Sequence, residues 1–437
     1  MNSLASYLKE KLIYYHQHRF IRNVAFLQIA SALGTFFQAL FGVFIARILQ
    51  PELYGLYALA FSLAALIFIT TGIQETITVV LGGTFAKNDR EQTTDALAFF
   101  LKFNAISSVI TLVIVLFLPL IGRFFYHDAH VGLYASLVVV AAIISSFAFT
   151  IVTMALQVSG NIKKMAWLGL SDQILRSGLT VVFVVFGYGI LGAAIGNLLG
   201  AMVIFFVSVV IWQKNIVKYP IFPSLGELLK KVSRAKSQFL SLSIWVAIDK
   251  NLSMLYTILP VLIAGIYLSR SDVSYFKLSF GFVMLALSLL GPISTLLNSE
   301  FSKMQISDSR QMSRNFIRVS LYAVGISTVL TLAAIIVAPI LFKILYGVSF
   351  LPSVKYVPGL FIFGALFGIG VGLGPMWRVV NRVRTSVVIN LVVLAVGIPV
   401  GIYLIQNFGV WGGIIMVTAW FTIAHLASFF YLLAVLK

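Results

Sequence analysis

Long apolar runs fill almost the whole chain, from about residue 23 to its end. A helix needs about 20 mostly apolar residues to cross the hydrocarbon core of a bilayer, whereas a strand of a membrane β-barrel needs only ~10. Only 10% of the 437 residues are charged, against about a quarter in a soluble domain. The sequence therefore predicts an all-α polytopic membrane protein.

Charged and turn residues divide the apolar runs into twelve predicted transmembrane helices. These helices cover residues 23–46, 53–86, 96–121, 131–157, 166–187, 190–213, 239–268, 273–299, 316–343, 353–376, 385–406 and 409–436. The connections between them are too short for an extramembrane domain. The chain has no cysteine, which excludes disulfides and thiolate metal sites, and we predict no metal centre.

Basic residues are distributed unevenly between the two faces that twelve helices define. Of the 31 Lys and Arg residues, 22 fall at the face of the two termini and three inside predicted helices. Because basic loops stay on the cytoplasmic side, we predict a protein of the cell membrane with both termini in the cytoplasm. The net charge of +18 then sets orientation, and we expect no nucleic-acid partner. Six basic residues fall at the other face: Arg47, Arg123, Arg270, Lys277, Lys343 and Lys355.

Two basic segments lie outside the predicted transmembrane helices. Residues 1–22 mix basic residues with Leu and Tyr, which is typical of an interfacial helix on anionic lipid headgroups. Residues 214–238 form the longest loop, and its leucines predict a second surface helix. This linker separates a predicted N-terminal lobe, residues 23–213, from a C-terminal lobe, residues 239–437.

The two predicted lobes repeat one another at an offset of about 220 residues. The matched segments are 119–126 with 339–346, 161–164 with 381–384, and 189–192 with 409–412. Ordered matches at nearly constant spacing indicate a duplication, and six helices per copy make the copies parallel. We therefore expect two parallel six-helix repeats with a substrate path between them.

The second predicted helix, residues 53–86, is too long for a straight crossing and contains Gly72 near its middle. At the matched place in the eighth helix stand Gly291 and Pro292, and proline removes a backbone hydrogen bond. Paired interruptions in two repeats point to a central transport site. Helix packing is the alternative explanation, because Gly and Pro are common in membrane helices.

Six ionisable residues fall inside predicted helices, where each needs a partner, a polar cavity or a route to the interface. Asp172 and Arg176 are four residues apart and are predicted to form an ion pair. Lys102 lies close enough to Asp95 and the cytoplasmic headgroups to extend its ammonium group there, which is the alternative to a role in a central cavity.

Asp249 and Lys250 lie near the membrane midplane if the seventh helix starts at about residue 239. Adjacent helical residues point about 100° apart, so the two charges need separate partners. Glu75 lies three residues after Gly72 and is the expected partner of Lys250 or Lys102. The predicted central site therefore contains Lys250, Asp249, Glu75, Arg176, Lys102 and Asp172.

Glycines recur at four-residue spacing in two predicted helices, as Gly192, Gly196 and Gly200 and as Gly364, Gly368 and Gly372. This spacing favours close helix packing within a lobe over packing between two copies of the chain, and we expect a monomer. The chain has neither a phosphate-binding glycine-lysine motif nor an acidic pair on a loop of the non-cytoplasmic face. We therefore predict that it is not an enzyme.

Several segments resemble polysaccharide flippases. Residues 46–57 are similar to the Ala-Arg-x-Leu-Gly-Pro-x-x-Tyr-Gly-x-Tyr run that joins the first two helices in that family, with Gln50 in place of the usual glycine. Residues 248–250 followed by 265–267 resemble its Ile-Asp-Arg and Gly-x-Tyr motifs, with Lys250 in place of arginine. Residues 345–347 match its Leu-Tyr-Gly motif.

The resemblance implies the multidrug/oligosaccharidyl-lipid/polysaccharide exporter (MOP) superfamily, and within it the O-antigen-type flippases of undecaprenyl-diphosphate-linked glycans. Its expected partners are a lipid-linked glycan, membrane lipids and enzymes of polysaccharide assembly. Outward movement of an anion is favoured by about 2.3 kcal/mol per charge per 100 mV, so membrane potential is one expected driving force. Coupling to protons or sodium is another.

Two other functions stay open at this point. A cation-coupled multidrug exporter of the same superfamily would favour acidic cavity residues, whereas the six charges inside the predicted helices sum to zero. A polytopic glycan polymerase or transferase would need longer loops on the non-cytoplasmic face.

The expected Glu75–Lys250 pair can be tested by exchanging its charges. We predict that Glu75→Lys and Lys250→Glu each reduce glycan export, and that the double variant restores it because the ion pair is re-formed. Surface-glycan display by cells that carry each variant measures the effect. Failure of the double variant to exceed both single variants would contradict the pairing.

Overall fold

The computed structural model describes residues 19–67, 71–231, 237–291 and 309–436, with a few residues between 293 and 301. The described residues form helices and turns only, which confirms the predicted all-α class. The predicted interfacial helix at 1–22 falls almost wholly outside the described residues.

Ten described helices are long and apolar enough to cross a membrane. Two of them, Ala25–Ile67 and Ile162–Ile216, contain non-helical backbone at Gln50 (φ 59°, ψ 170°) and at Gly187 (φ 88°), so each includes residues of two successive helices. The twelve predicted crossings are therefore present.

We number the crossings α1 to α12; most of them begin a few residues earlier than predicted, and their ends differ from the predicted ends in both directions. They are α1 (19–49), α2 (51–67 and Thr71–Ala86), α3 (Arg90–Tyr126), α4 (Ala129–Val158), α5 (Ile162–Phe183), α6 (Gly189–Ile211), α7 (Ser237–Tyr267), α8 (Arg270–Leu287), α9 (Ser309–Leu341), α10 (Phe361–Val379), α11 (Val383–Phe408) and α12 (Val410–Val435). Single π-helical turns follow α5, α6 and α9, at Val184–Tyr188, Trp212–Ile216 and Phe342–Tyr346. Short 3-10 turns, Val348–Tyr356 and Pro358–Leu360, lead into α10.

The backbone repeats between the two halves of the chain. Gly189, which begins α6, has φ 54° and ψ −135°, and its counterpart Gly409, which precedes α12, has φ 58° and ψ −131°. Both conformations lie in the left-handed half of the map, where glycine is favoured because it has no Cβ. The same sharp reversal therefore joins the last two helices of each repeat.

Glycines allow helices to approach closely within each half. A Cβ on Gly196 of α6 would lie 2.6 Å from the Leu179 carbonyl oxygen of α5, and Gly368 of α10 lies directly against the Ala323 backbone of α9. Both glycine rows therefore pack helices of the same half, as their spacing predicts.

The linker is attached to the first half of the chain. It contains a six-residue helix, Leu225–Lys230, which we call the linker helix. Glu227 accepts a hydrogen bond from Arg90 at 2.9 Å, and Lys231 lies 3.3 Å from Asp95, both on α3. Phe222 is buried against Trp212. The predicted surface helix is thus short and fixed by ion pairs; residues 232–236 lie outside the described residues.

The close approach at Gly368 predicts a difference between two glycines of α10. Gly368→Ala forces a methyl group into the α9 backbone and should destabilise the protein by about 1–3 kcal/mol through overpacking. Gly374→Ala is the matched control, because no atom lies within 4 Å of the added carbon. Thermal unfolding in detergent measures both, and equal melting temperatures would contradict the packing.

Candidate functional site

The two halves of the chain meet at one membrane face through polar side chains. Arg270, at the start of α8, donates to Asp128, the N-cap residue of α4, at 2.7 Å. Ser349 donates to Gln50, between α1 and α2, at 2.8 Å. We call this side the latch face. The basic face is the opposite side, at which Arg90 pairs with the linker.

Close packing continues inward from the latch face. Gly55 of α2 lies against the backbone of Arg270, and Gly265 of α7 lies against the Leu59 side chain. Phe350 is buried edge-on against Tyr54, with ring centroids 6.0 Å apart. The halves are therefore in contact at the latch face, with backbone and aromatic rings filling the seam.

A pocket of about 920 Å³ lies between the halves, bounded by α1 on one side and by α8 and α9 on the other. Its walls are mostly apolar, and exposed side chains such as Phe36 and Leu289 line it. Polar groups enter it from both halves, from Gln28, Ser31 and Thr35 of α1 and from Ser288 after α8. The pocket combines an apolar wall with a narrow polar stripe.

The predicted interruption of the eighth helix borders this pocket. Helix α8 ends at Leu287, a 3-10 turn follows over Ser288–Leu290, and Gly291 lines the pocket. Pro292 lies outside the described residues. In α2, Gly72 lies in the first turn of the segment Thr71–Ala86, and residues 68–70 lie outside the described residues. One member of the predicted pair of interruptions is thus placed at the pocket.

Asp249 is the centre of a polar cluster between α7 and α11. Ser386 donates to the Asp249 carboxylate at 2.7 Å, and Asn390 lies 3.4 Å from Ser386. Tyr256 donates to the Asn390 side-chain oxygen at 3.0 Å. A carboxylate, a hydroxyl and an amide oxygen are oxygen ligands of the kind that bind a proton or a hard cation. The sequence analysis missed Ser386 and Asn390. The signal that could have found them is their four-residue spacing, which places both on one face of α11, as the same spacing places Asp249 and Ser253 on one face of α7.

Lys250 is half-buried on α7, beside Asp249 in sequence. The Glu75 side chain lies outside the described part of the structure, so their pairing stays a prediction. Lys102 is exposed on α3, in agreement with a side chain that reaches the headgroups.

Asp172 and Arg176 form the predicted ion pair on α5, with Arg176 Nε donating to the carboxylate at 2.6 Å. Both side chains are largely buried. Gly200 of α6 packs against Arg176, and Gly34 of α1 packs against the neighbouring Gln173. The pair therefore lies inside the first half, and no hydrogen bond or ion pair between described residues joins it to the Asp249 cluster.

The position of Lys277 differs from the position that the sequence predicts. Lys277 was expected in the loops of the non-cytoplasmic face, but it lies two turns inside α8, with its side chain half-buried. Within the part of the chain that is described, its ammonium group forms no ion pair or hydrogen bond. When Lys277 is added to the six ionisable residues of the predicted helices, their formal charges sum to +1 instead of zero. Lys277 follows Arg270 by only seven residues. Its position in the sequence therefore could not exclude that its ammonium group lies at the membrane interface.

Two of the described histidines have defined neighbours. His130 shares the Asp128 carboxylate with Arg270, at 2.9 Å. His425 of α12 packs against Gly370 of α10, and its Nδ1 atom is buried without a hydrogen-bond partner among described residues. No described cluster of His, Asp and Glu has the composition of a metal site.

A family model described as "Polysaccharide biosynthesis protein" matches residues 44–355. No curated protein matches the chain significantly.

Solved structures share the fold along nearly the whole chain. One, described as the inward-facing conformation of a multidrug resistance MATE family transporter of the MOP superfamily, has a TM-score of 0.72 at 15% identity and covers 92% of this chain and 95% of that chain. The lipid II flippase MurJ in an inward closed conformation has a TM-score of 0.67 at 16% identity, with 94% and 87% covered. The outward-facing conformation of a MATE family transporter has a TM-score of 0.63 at 18% identity, and the match covers 95% of this chain and 96% of that chain. The chain therefore has the fold of these MATE transporters and of MurJ.

The latch face predicts a specific cross-link. Because the natural chain has no cysteine, Gln50→Cys with Ser349→Cys introduces the only two thiols, and a short bis-thiol reagent should join them efficiently. Adding Arg270→Gln removes a partly exposed ion pair and should slow the reaction about two- to fivefold.

Arg123→Gln is the control, because Arg123 lies near this face without an ion pair to a described residue. Peptide mass spectrometry measures the linked fraction. Equal rates in the Arg270 and Arg123 variants would show that the Arg270–Asp128 contact does not hold the face closed.

Proposed function

The chain belongs to the polysaccharide biosynthesis protein family, and we propose that it is a flippase for a lipid-linked oligosaccharide. Its substrate is an undecaprenyl-diphosphate-linked glycan, which moves from the cytoplasmic to the outer leaflet for cell-surface polysaccharide synthesis. The observation that carries the proposal is the pocket between α1, α8 and α9, because it lies between the two repeats of a MOP-type transporter.

The chemistry of the pocket fits an amphiphilic substrate. Exposed apolar side chains such as Phe36 and Leu289 give a prenyl chain a wall to lie against while it remains in the bilayer. Gln28, Ser31 and Thr35 offer hydrogen bonds to a sugar. Such a division matters because a sugar diphosphate loses many kcal/mol of hydration if it enters hydrocarbon unaided.

The charge inside the crossings supports an anionic headgroup. Lys250 and Lys277 lie on α7 and α8, two of the helices of the second half that pack against α2. Lys277 and the six ionisable residues of the predicted helices sum to +1, whereas a cation exporter would favour acidic cavity residues. This favours the flippase over a cation-coupled multidrug exporter with the same fold.

Transport by alternating access fits the contacts at the latch face. In this state Asp128–Arg270 and Gln50–Ser349 join the halves there, so substrate enters from the basic face, which we place in the cytoplasm. Opening the latch face requires these contacts to break. The Asp249 cluster is the proposed place for a coupling proton or sodium ion, and membrane potential is the alternative driving force.

Flipping can be measured in proteoliposomes that contain a fluorescent undecaprenyl-diphosphate oligosaccharide. Lys250→Ala and Lys277→Ala should each slow the arrival of glycan at the opposite leaflet by about tenfold, because each removes a charged contact to the diphosphate. Lys87→Ala is the control, since Lys87 is exposed in a loop of the basic face. Wild-type rates in both variants, or export of organic cations without flipping, would overturn the proposal.

The locked cysteine pair tests alternating access in the same vesicles. Cross-linked Gln50→Cys/Ser349→Cys protein should lose flipping, and cleavage of the link by reductant should restore it. A linked protein that still transports would mean that the latch face does not open during the cycle.

A further inference from the structure

A second groove, of about 540 Å³, lies on the first half of the chain, away from the pocket between the halves. It is formed by α3, α4, α6 and the linker helix. Helices α4 and α6 pack mainly on other helices of their own half, so the groove faces the bilayer. Its volume is in the range of small-molecule and cofactor sites.

The groove is lined almost entirely by carbon. Phe206, an exposed wall residue, has 66% of its surface accessible, and Leu229 of the linker helix has 76%. Leu229 does not move freely, because the linker helix is held by Glu227–Arg90 and Lys231–Asp95 and by buried Leu228. An exposed leucine side chain is unfavourable when it contacts water, but not when it contacts a lipid chain.

Two exposed lysines follow residues of the groove wall closely in sequence. Lys214 follows Trp212 by two residues, and Lys230 follows Leu229 directly. Neither forms an ion pair with a residue that the structure describes, whereas Lys231 is paired with Asp95. Because a lysine side chain is long and flexible, both ammonium groups can extend toward a phosphate at the membrane surface beside the groove.

Two hydrogen-bond donors are buried in the groove wall. Ser208, on α6, and Trp212, in the π-helical turn that follows, line it four residues apart. Ser208 Oγ and Trp212 Nε1 have no hydrogen-bond partner among the described residues, although such groups are normally satisfied. Both atoms are covered by neighbouring side chains, so a hydrogen bond to a ligand requires these side chains to rotate. A phospholipid ester carbonyl lies at this depth, just below the headgroup, whereas a prenyl chain has no acceptor there.

We infer that this groove binds one anionic phospholipid of the leaflet at the basic face. An acyl chain lies along the wall from Trp212 to Phe206, and the phosphate contacts Lys214 and Lys230. This site is independent of the transport pocket and of its substrate.

Trp212 supplies a direct measurement of binding. The purified protein is placed in nanodiscs of neutral lipid with increasing phosphatidylglycerol brominated on its acyl chain, and tryptophan quenching is followed. We expect half-maximal quenching at about tenfold less brominated phosphatidylglycerol than brominated phosphatidylcholine, since two lysines each favour an anionic headgroup by about 1 kcal/mol. The preferential quenching should be absent in Trp212→Phe. Native mass spectrometry should show one retained phosphatidylglycerol.

Lys214→Gln/Lys230→Gln should remove the preference, and Leu229→Gln should weaken binding of both lipids. The matched control is Lys164→Gln/Arg382→Gln, which removes the same charge from exposed positions elsewhere on the basic face. Equal quenching by the two lipids in the wild-type protein, or an unchanged preference in Lys214→Gln/Lys230→Gln, would overturn the inference. Displacement of phosphatidylglycerol by added undecaprenyl phosphate would instead assign the groove to the substrate's tail.

Discussion

Hydrocarbon offers no hydrogen bonds, and that single constraint shapes the rest of this structure. Backbone groups are satisfied within helices, and serine and threonine side chains mostly bond carbonyls of their own helix, as Ser279 does with Tyr275. Few polar groups are left to hold helices together, so glycines such as Gly196 and Gly368 bring the backbones into contact instead. The polar contacts of the latch face, Arg270–Asp128 and Ser349–Gln50, lie at the membrane surface, where water can replace them when they break.

The fold was predictable because the same constraint leaves a strong trace in the sequence. Twelve apolar runs, the matched segments around Gly189 and Gly409, and the i, i+4 spacing of Asp172 and Arg176 all report local geometry. What the sequence left open depends on distances between helices that are far apart in the chain. Ser386 lies 137 residues after Asp249, and Arg270 lies 142 after Asp128, so nothing local joins either pair.

Lys277 shows that the position of a charged residue in the sequence does not determine its surroundings when it lies near the membrane interface. Seven residues of helix span only about 10 Å, which a lysine side chain can partly bridge. Whether its ammonium group turns to water or to protein depends on the packing of α8 against its neighbours. The same ambiguity applied to Lys102, whose side chain is exposed, whereas that of Lys277 is half-buried. Two lysines at similar distances from the ends of their helices therefore differ in exposure.

The ion pairs of the linker limit how far the halves can separate. Lys231 is fixed to α3, and α7 begins at Ser237, so six peptide steps are all that connect the first half to the second. A chain of that length spans at most about 20 Å, however extended it is. The linker thus limits the distance by which α2 and α7 can move apart. A larger separation of the halves is possible only on the opposite side, between α1 and α8. Under the proposed function, the sugar headgroup of the substrate enters from that side, beside the pocket.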